Sequence, residues 1–178
     1  LGLCRMNKNE IVAALFAHHE NFIDLIESLS AEQRALALPD KWNADQQVEH
    51  VIKSVAPVKL AFQLPSFVLA TAFGKANRAS RSYENLVEKY KAKLAAGGKA
   101  PKRFVPSTKR QMPAQILRLR NLIKQLRQKT ETMAEEKLDQ FVLPHPLLGK
   151  LTLREMLYFT IYHVQHHQRQ VENNIAAK

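Results

Sequence analysis

The sequence predicts an all-α protein: a bundle of long helices with an irregular, basic middle section that contains an extra helix. Three observations lead there. Only 5 of the 178 residues are glycine, so strand punctuation is thin. Apolar residues recur at three- and four-residue spacing over long windows. Two of those windows open on capping boxes, Asn43-x-x-Gln46 and Thr152-x-x-Glu155. The length suits one core, and an apolar share of 46% is that of an ordinary globular chain. We therefore expect one folded domain over residues 8–178. Residues 1–7 read as a leader or disordered N-terminus, with Met6 as the natural start.

Five helical segments justify the class. The first spans Lys8–Leu29, where Ile11, Leu15, Phe22, Ile26 and Leu29 form a stripe flanked by His18 and His19. A polar loop through Pro39 and Asp40 follows. Trp42 then precedes the cap Asn43, placed to anchor the chain's entry into a second helix from Ala44 to Leu60. Val48, Val51, Val55, Val58 and Phe62 are its stripe, and Pro57 and Pro65 are expected to kink or break it. The apolar stretch from Pro65 to Phe73 can continue helically. A third segment covers Tyr83–Ala96 and stops at Gly97-Gly98. Residues 97–113, with three prolines, read as a loop. The fourth helix, Ala114–Met133, carries Ile116, Leu119, Ile123 and Leu126 on one side. The stretch QFVLPHPLLGK reads as another loop, and Thr152 caps the last helix, which runs to about Asn174.

Composition removes several function classes. The one cysteine, Cys4, excludes an intrachain disulfide and a cysteine-based zinc site, and suits a reducing, cytoplasmic setting. No apolar run approaches the roughly 20 residues of a membrane-spanning helix. The net charge of +11 attracts anions of any kind. It is concentrated: residues 75–129 hold 16 basic residues against Glu84 and Glu88, an excess of 14.

The histidines are the candidate chemistry. On a wheel of about 100° per residue, Leu153, Leu157, Val164, Val171 and Ile175 define the buried face of the last helix. His167 lies near that face, His163 on the same flank, and His166 toward solvent. His163 and His167 are one turn apart, so those two can share a divalent ion. A working site needs at least one more ligand. The candidates are His18, His19, His50, His145 and the carboxylates. His50 stands off the centre of its valine stripe, beside Gln47 and Ser54, which suits a cleft between helices. A lone pair of histidines at a helix border is the commoner reading of such spacing.

Two segments add to this. KWNADQQVEHV early in the chain and HPLLGKLTLREMLYFTIYHVQHHQRQ late in it resemble the hallmark segments of the DinB-like superfamily. The late one has the His-Pro-x-x-Gly loop, the capped helix, and His-x-x-x-His followed by Gln. The early one has the Trp, the N-cap and a histidine on the second helix. The resemblance implies a four-helix bundle with a three-histidine metal site formed by His50, His163 and His167. It also implies a homodimer and, for some relatives, transfer or isomerisation chemistry with a low-molecular-weight thiol; other relatives are described as metal-dependent hydrolases. Gln168 and Arg169 depart from the Arg-Gly that often follows the paired histidines, and the basic middle section matches no hallmark.

Three neutral imidazoles leave a metal its full charge and open positions, so it can lower the pKa of a thiol or of water. They accept several transition metals, zinc and nickel foremost. We expect a small-molecule substrate, and the basic charge suits an anionic one. Gln170 is a candidate to orient a ligand or water, and His145 to gate the site or support it from the loop. The rival reading is a non-catalytic protein whose basic section holds an anionic partner such as nucleic acid. Few aromatics for stacking (Tyr83, Tyr90, Phe104) and no nucleic-acid motif count against it.

Overall fold

The computed structural model describes residues 5–107 and 111–177. Four long helices form the bundle: α1 (Lys8–Ser28), α3 (Ala44–Phe62), α6 (Met112–Thr132) and α8 (Leu153–Ala176). They pack in a closed cycle, α1 on α6, α6 on α3, α3 on α8 and α8 on α1. Shorter helices are α2 (Ala31–Ala35), α4 (Ser66–Ala72), α5 (Tyr83–Ala95) and α7 (Lys137–Gln140). The extra helix α5 lies outside the cycle and packs on α8. Each apolar stripe read from the sequence faces inward: Leu15, Phe22 and Ile26; Val48, Val51, Val55 and Phe62; Ile116, Leu119 and Leu126; Leu153, Leu157, Val164 and Val171 are all buried.

The caps form as their residue types dictate. Asn43 accepts from the Gln46 amide while Gln46 returns a bond to the Asn43 amide. Thr152 and Glu155 do the same for α8, and Asn7 and Glu10 do it for α1. Met6 and Asn7, which the sequence reading places in the leader, are built into the fold: Asn7 caps α1, and the Met6 carbonyl accepts from Arg154 and Tyr158. Residues 1–4, including Cys4, lie outside the described residues. Among the described residues no single helix is long and apolar enough to cross a membrane; α3 and α4 reach that composition together only across a 115° bend.

Three expectations are corrected. Pro57 does not break its helix. It costs α3 one hydrogen bond, but Val55, Val58 and Phe62 around it are buried, and that burial outweighs the loss. Pro65 does end the run, serving as the N-cap residue of α4. The stretch after Phe141 is not a loop but an antiparallel hairpin, β1 (Val142–His145) with β2 (Gly149–Thr152). Two prolines hid it, yet Pro144 faces solvent, where a missing N–H is harmless. Its turn is held by His145, whose Nδ1 accepts from the Leu147 and Leu148 amides at 3.2 and 3.1 Å. Gly149, at φ 76°, resumes the strand in a conformation that favours glycine. Last, α2 forms in the stretch expected to be a polar loop, being too short to show a period.

Two buried ion-pair clusters fix the start of α8. The fully buried Glu155 carboxylate accepts from Arg78 at 2.6 and 2.7 Å and from the Arg81 and Thr152 amides. These partners hold its pKa below the usual carboxylate value against the opposing effect of burial. Arg154, equally buried, bonds Asp139 and Glu135 and so ties α7 to α8.

His19 is buried to 0% exposure, gives its Nδ1–H to the Leu15 carbonyl, and leaves Nε2 without a partner. Burial lowers its pKa to about 4. The unfolded chain therefore binds this proton first, and stability falls as pH drops from 6.5 toward 4. We expect His19→Leu to lose about 2 kcal/mol less than wild type between pH 7.5 and pH 5. Urea unfolding at both pH values checks it, and equal losses refute the assignment.

Candidate metal centre

Capping sets the geometry of the centre. The box at Asn43 starts α3 so that His50 falls two turns in, on the flank toward α8. The box at Thr152 starts α8 so that His163 and His167 face the same seam. Three ring nitrogens converge there. His163 Nε2 is 3.1 Å from His50 Nε2 and 3.0 Å from His167 Nε2. The three residues are 4–5% exposed and form a cluster whose nitrogens can hold a metal ion.

The outer ring nitrogens are tied down. His50 Nδ1 donates to the Phe104 carbonyl at 2.8 Å, and His167 Nδ1 donates to Gln47 Oε1. A neutral imidazole that gives its one N–H at Nδ1 keeps a lone pair at Nε2. Two such lone pairs face His163 Nε2, which carries at most one proton and can satisfy only one of them. A cation between the three nitrogens resolves the conflict. The spacing suits one: a tetrahedral ion bonded at about 2.0–2.1 Å sets its nitrogens about 3.3 Å apart. Burial is the largest cause lowering the pKa of all three rings, His163 and His167 well below the ordinary value; neighbouring imidazoles add to it at those two, and Lys53 adds to it at His50. All three are therefore neutral at neutral pH, as ligands must be.

Gln47 is the residue the sequence reading missed. One turn before His50 on α3, it bonds His167, and its amide donates to the Trp42 carbonyl at 3.1 Å and to Gln170 Oε1 at 2.9 Å. Its place among the glutamines of DQQVEH, three residues before a candidate ligand, was the available signal. Among the described residues Gln170 makes no hydrogen bond to the three histidines; it bonds Gln47 and, at 2.6 Å, His166 Nε2. Trp42 covers the site, its ring 4.7 Å from His50 and 6.4 Å from His167, centroid to centroid. His166, expected toward solvent, is half-buried because α5 brings Tyr90 over it. It does not join the cluster. His18 and His19 on α1 also stay out of it.

One side of the centre is open to a cavity of about 540 Å³ between α3, α5, α8, the hairpin and a short 3-10 turn, Lys102–Phe104. His50 and His163 line it, as does His145, whose ring packs edge-on against Phe159 at 4.2 Å. His145 accepts at Nδ1, so its proton sits on Nε2; burial lowers its pKa to about 4 and keeps it neutral.

Four bundled helices with inward histidines, two on one helix and one on its neighbour, define a class: helical-bundle proteins whose core can hold a metal ion. The family model of the DinB superfamily matches residues 14–171, and the chain belongs to that superfamily. No curated protein matches the chain.

We expect wild type to bind about one divalent transition metal per chain, and folded His163→Ala and His167→Ala to lose it. Metal analysis of the three purified proteins decides; equal contents refute the site. Gln47→Leu removes the partner that orients His167, and metal affinity should fall about 10–100-fold in chelator competition. An unchanged affinity would show that the Gln47 bond does not support binding.

Proposed function

We propose that the protein is a metal-dependent transferase that uses a low-molecular-weight thiol on a small-molecule substrate, with His50, His163 and His167 as ligands of one divalent ion, zinc or nickel. The convergence of three neutral imidazoles, two of which line a cavity, carries this reading. An ion held by three neutral imidazoles would lower the pKa of a thiol or of water at its open position. The choice of thiol over water rests on the superfamily resemblance.

The chain's own residues have distinct parts in this reading. The Phe104 carbonyl and Gln47 orient His50 and His167. Gln170 acts through Gln47 and holds no ligand itself. His145 offers the cavity a ring whose remaining N–H is at Nε2, suited to donate a hydrogen bond to bound substrate. Phe159, Leu143, Leu147 and Met156 give the cavity apolar walls that exclude water and strengthen electrostatics at the centre. Assembly as a homodimer in the cytoplasm belongs to the same proposal, again on the resemblance.

The rival reading, a basic surface for nucleic acid, draws less support. Part of the positive charge of residues 75–129 is paired with carboxylates of the chain itself. Arg78 and Arg81 hold Glu155, Lys91 holds Glu88, Arg120 holds Glu20 and Glu27, and Arg127 holds Glu131. Lys109 and Arg110 lie outside the described residues.

A screen of metal-loaded protein with several cellular thiols against electrophilic small molecules tests the proposal. We expect thiol consumption that a chelator abolishes and that His163→Ala lacks. Turnover that is equal with and without thiol would point to hydrolysis instead.

A further inference from the structure

The cavity beside the three histidines has a marked charge asymmetry. Every residue lining it that carries a formal charge at neutral pH is a cation, namely Lys53 from α3, Arg103 from the 3-10 turn and Arg118 from α6; no Asp or Glu lines it. Its histidines are neutral, for the reasons given above. The three cations are not equivalent. Lys53 is occupied, with Glu49 at 2.9 Å and the Val105 carbonyl at 2.7 Å. Arg103 lies over the Phe104 ring at 4.7 Å, and among the described residues neither it nor Arg118 has a carboxylate partner. Elsewhere the fold does pair its arginines, as Arg78, Arg120, Arg127 and Arg154 show. Two free guanidiniums therefore stand at the rim of a mainly apolar chamber whose inner wall carries His50 and His163.

We propose that this cavity takes an amphipathic anion: an apolar body seated against Phe159, Leu143, Leu147 and Met156, with a carboxylate or sulfonate paired to Arg103 and Arg118. The volume is in the range of small-molecule sites. Guanidinium is the cation that suits such a head group, because its planar fork matches two oxygens at once. This orientation sends the ligand's far end toward the histidines. The inference rests on the metal-centre reading for its functional meaning, but the binding itself does not require the metal.

Two fluorescent probes test it: 8-anilinonaphthalene-1-sulfonate, an apolar anion, and N-phenyl-1-naphthylamine, its uncharged counterpart. Titrations use wild type, Arg103→Gln/Arg118→Gln, and Lys124→Gln/Lys129→Gln, which loses the same charge at exposed positions outside the cavity. We expect the arginine variant to weaken the anionic probe about tenfold and to bind the neutral probe within about twofold of wild type. The lysine variant should leave both probes near wild type. Octanoate should displace the anionic probe where octylamine does not. Equal weakening in the arginine and lysine variants, or equal weakening of both probes, overturns the proposal. Intact neutral-probe binding also reports that the variant is folded. Metal content is measured on the same samples, before and after chelation. Wild type that shows no anion preference but has normal metal content refutes the anion site alone, and wild type that keeps the preference with no metal in any sample refutes the metal centre alone.

Discussion

The structure depends on one constraint: two histidines on α8 cannot close a site, so a third must cross from α3 and meet them within about 3 Å. His163 and His167 share a flank because they are one turn apart, which any helix provides. Bringing His50 Nε2 to 3.1 Å from His163 is a tertiary matter. It requires α3 and α8 to start in register, and capping boxes at Asn43 and Thr152 fix both starts. Gln47 then locks the seam, since one side chain from α3 bonds His167 and Gln170 on α8 and the Trp42 carbonyl before the cap. Metal affinity in such a centre is inseparable from helix packing, because nothing holds the three nitrogens together in the unfolded chain.

The same seam shows what a sequence can and cannot reveal. The long helices were legible because their signals are local: Asn43 and Gln46 cap each other, and Val48, Val51 and Val55 repeat with the helix period. The split of His163 and His167 from His166 was legible for the same reason. His50 was a candidate by position on its own helix, but spacing could not choose it over His18, His19 or His145, and only the resemblance did. Gln47 was invisible as a partner because its role exists only across the α3–α8 contact. His166 was misplaced because a helical wheel knows its own helix and not α5, which covers that side with Tyr90.

Charge gave a similar lesson. An excess of 14 positive charges over residues 75–129 suggests a surface for polyanions when counted along the chain. In three dimensions these cations are not equivalent. Arg78 and Arg81 pair with Glu155 of α8 and so stitch the middle section to the bundle, Arg120 joins α6 to α1 through Glu27, and Arg127 pairs with Glu131 within α6. Glu155 is the clearest case, a buried anion that would be costly to bury without Arg78 and the two amides it accepts from. Arg103 and Arg118 have no carboxylate partner among the described residues, and they are the two cations of this stretch that line the cavity. What matters for function is the part of the charge that the fold does not use.

The cavity is walled on three sides by what the bundle pattern fails to predict. Pro57 sits inside α3, the hairpin carries Pro144, His145 and Pro146, and the 3-10 turn at Lys102–Phe104 supplies Arg103 and the carbonyl that orients His50. An ideal four-helix bundle fills its seams with side chains and leaves no chamber. Here α3 tolerates a proline because its valines are buried on both sides of it. The hairpin tolerates two prolines because His145 supplies the acceptor that holds its turn. Each departure is stabilised by a neighbour, and together they hold a space open beside three imidazoles. Local rules failed at Pro57 and at the hairpin for the reason that makes those places informative: a binding chamber is where a sequence departs from the consistent pattern that specifies the rest of its fold.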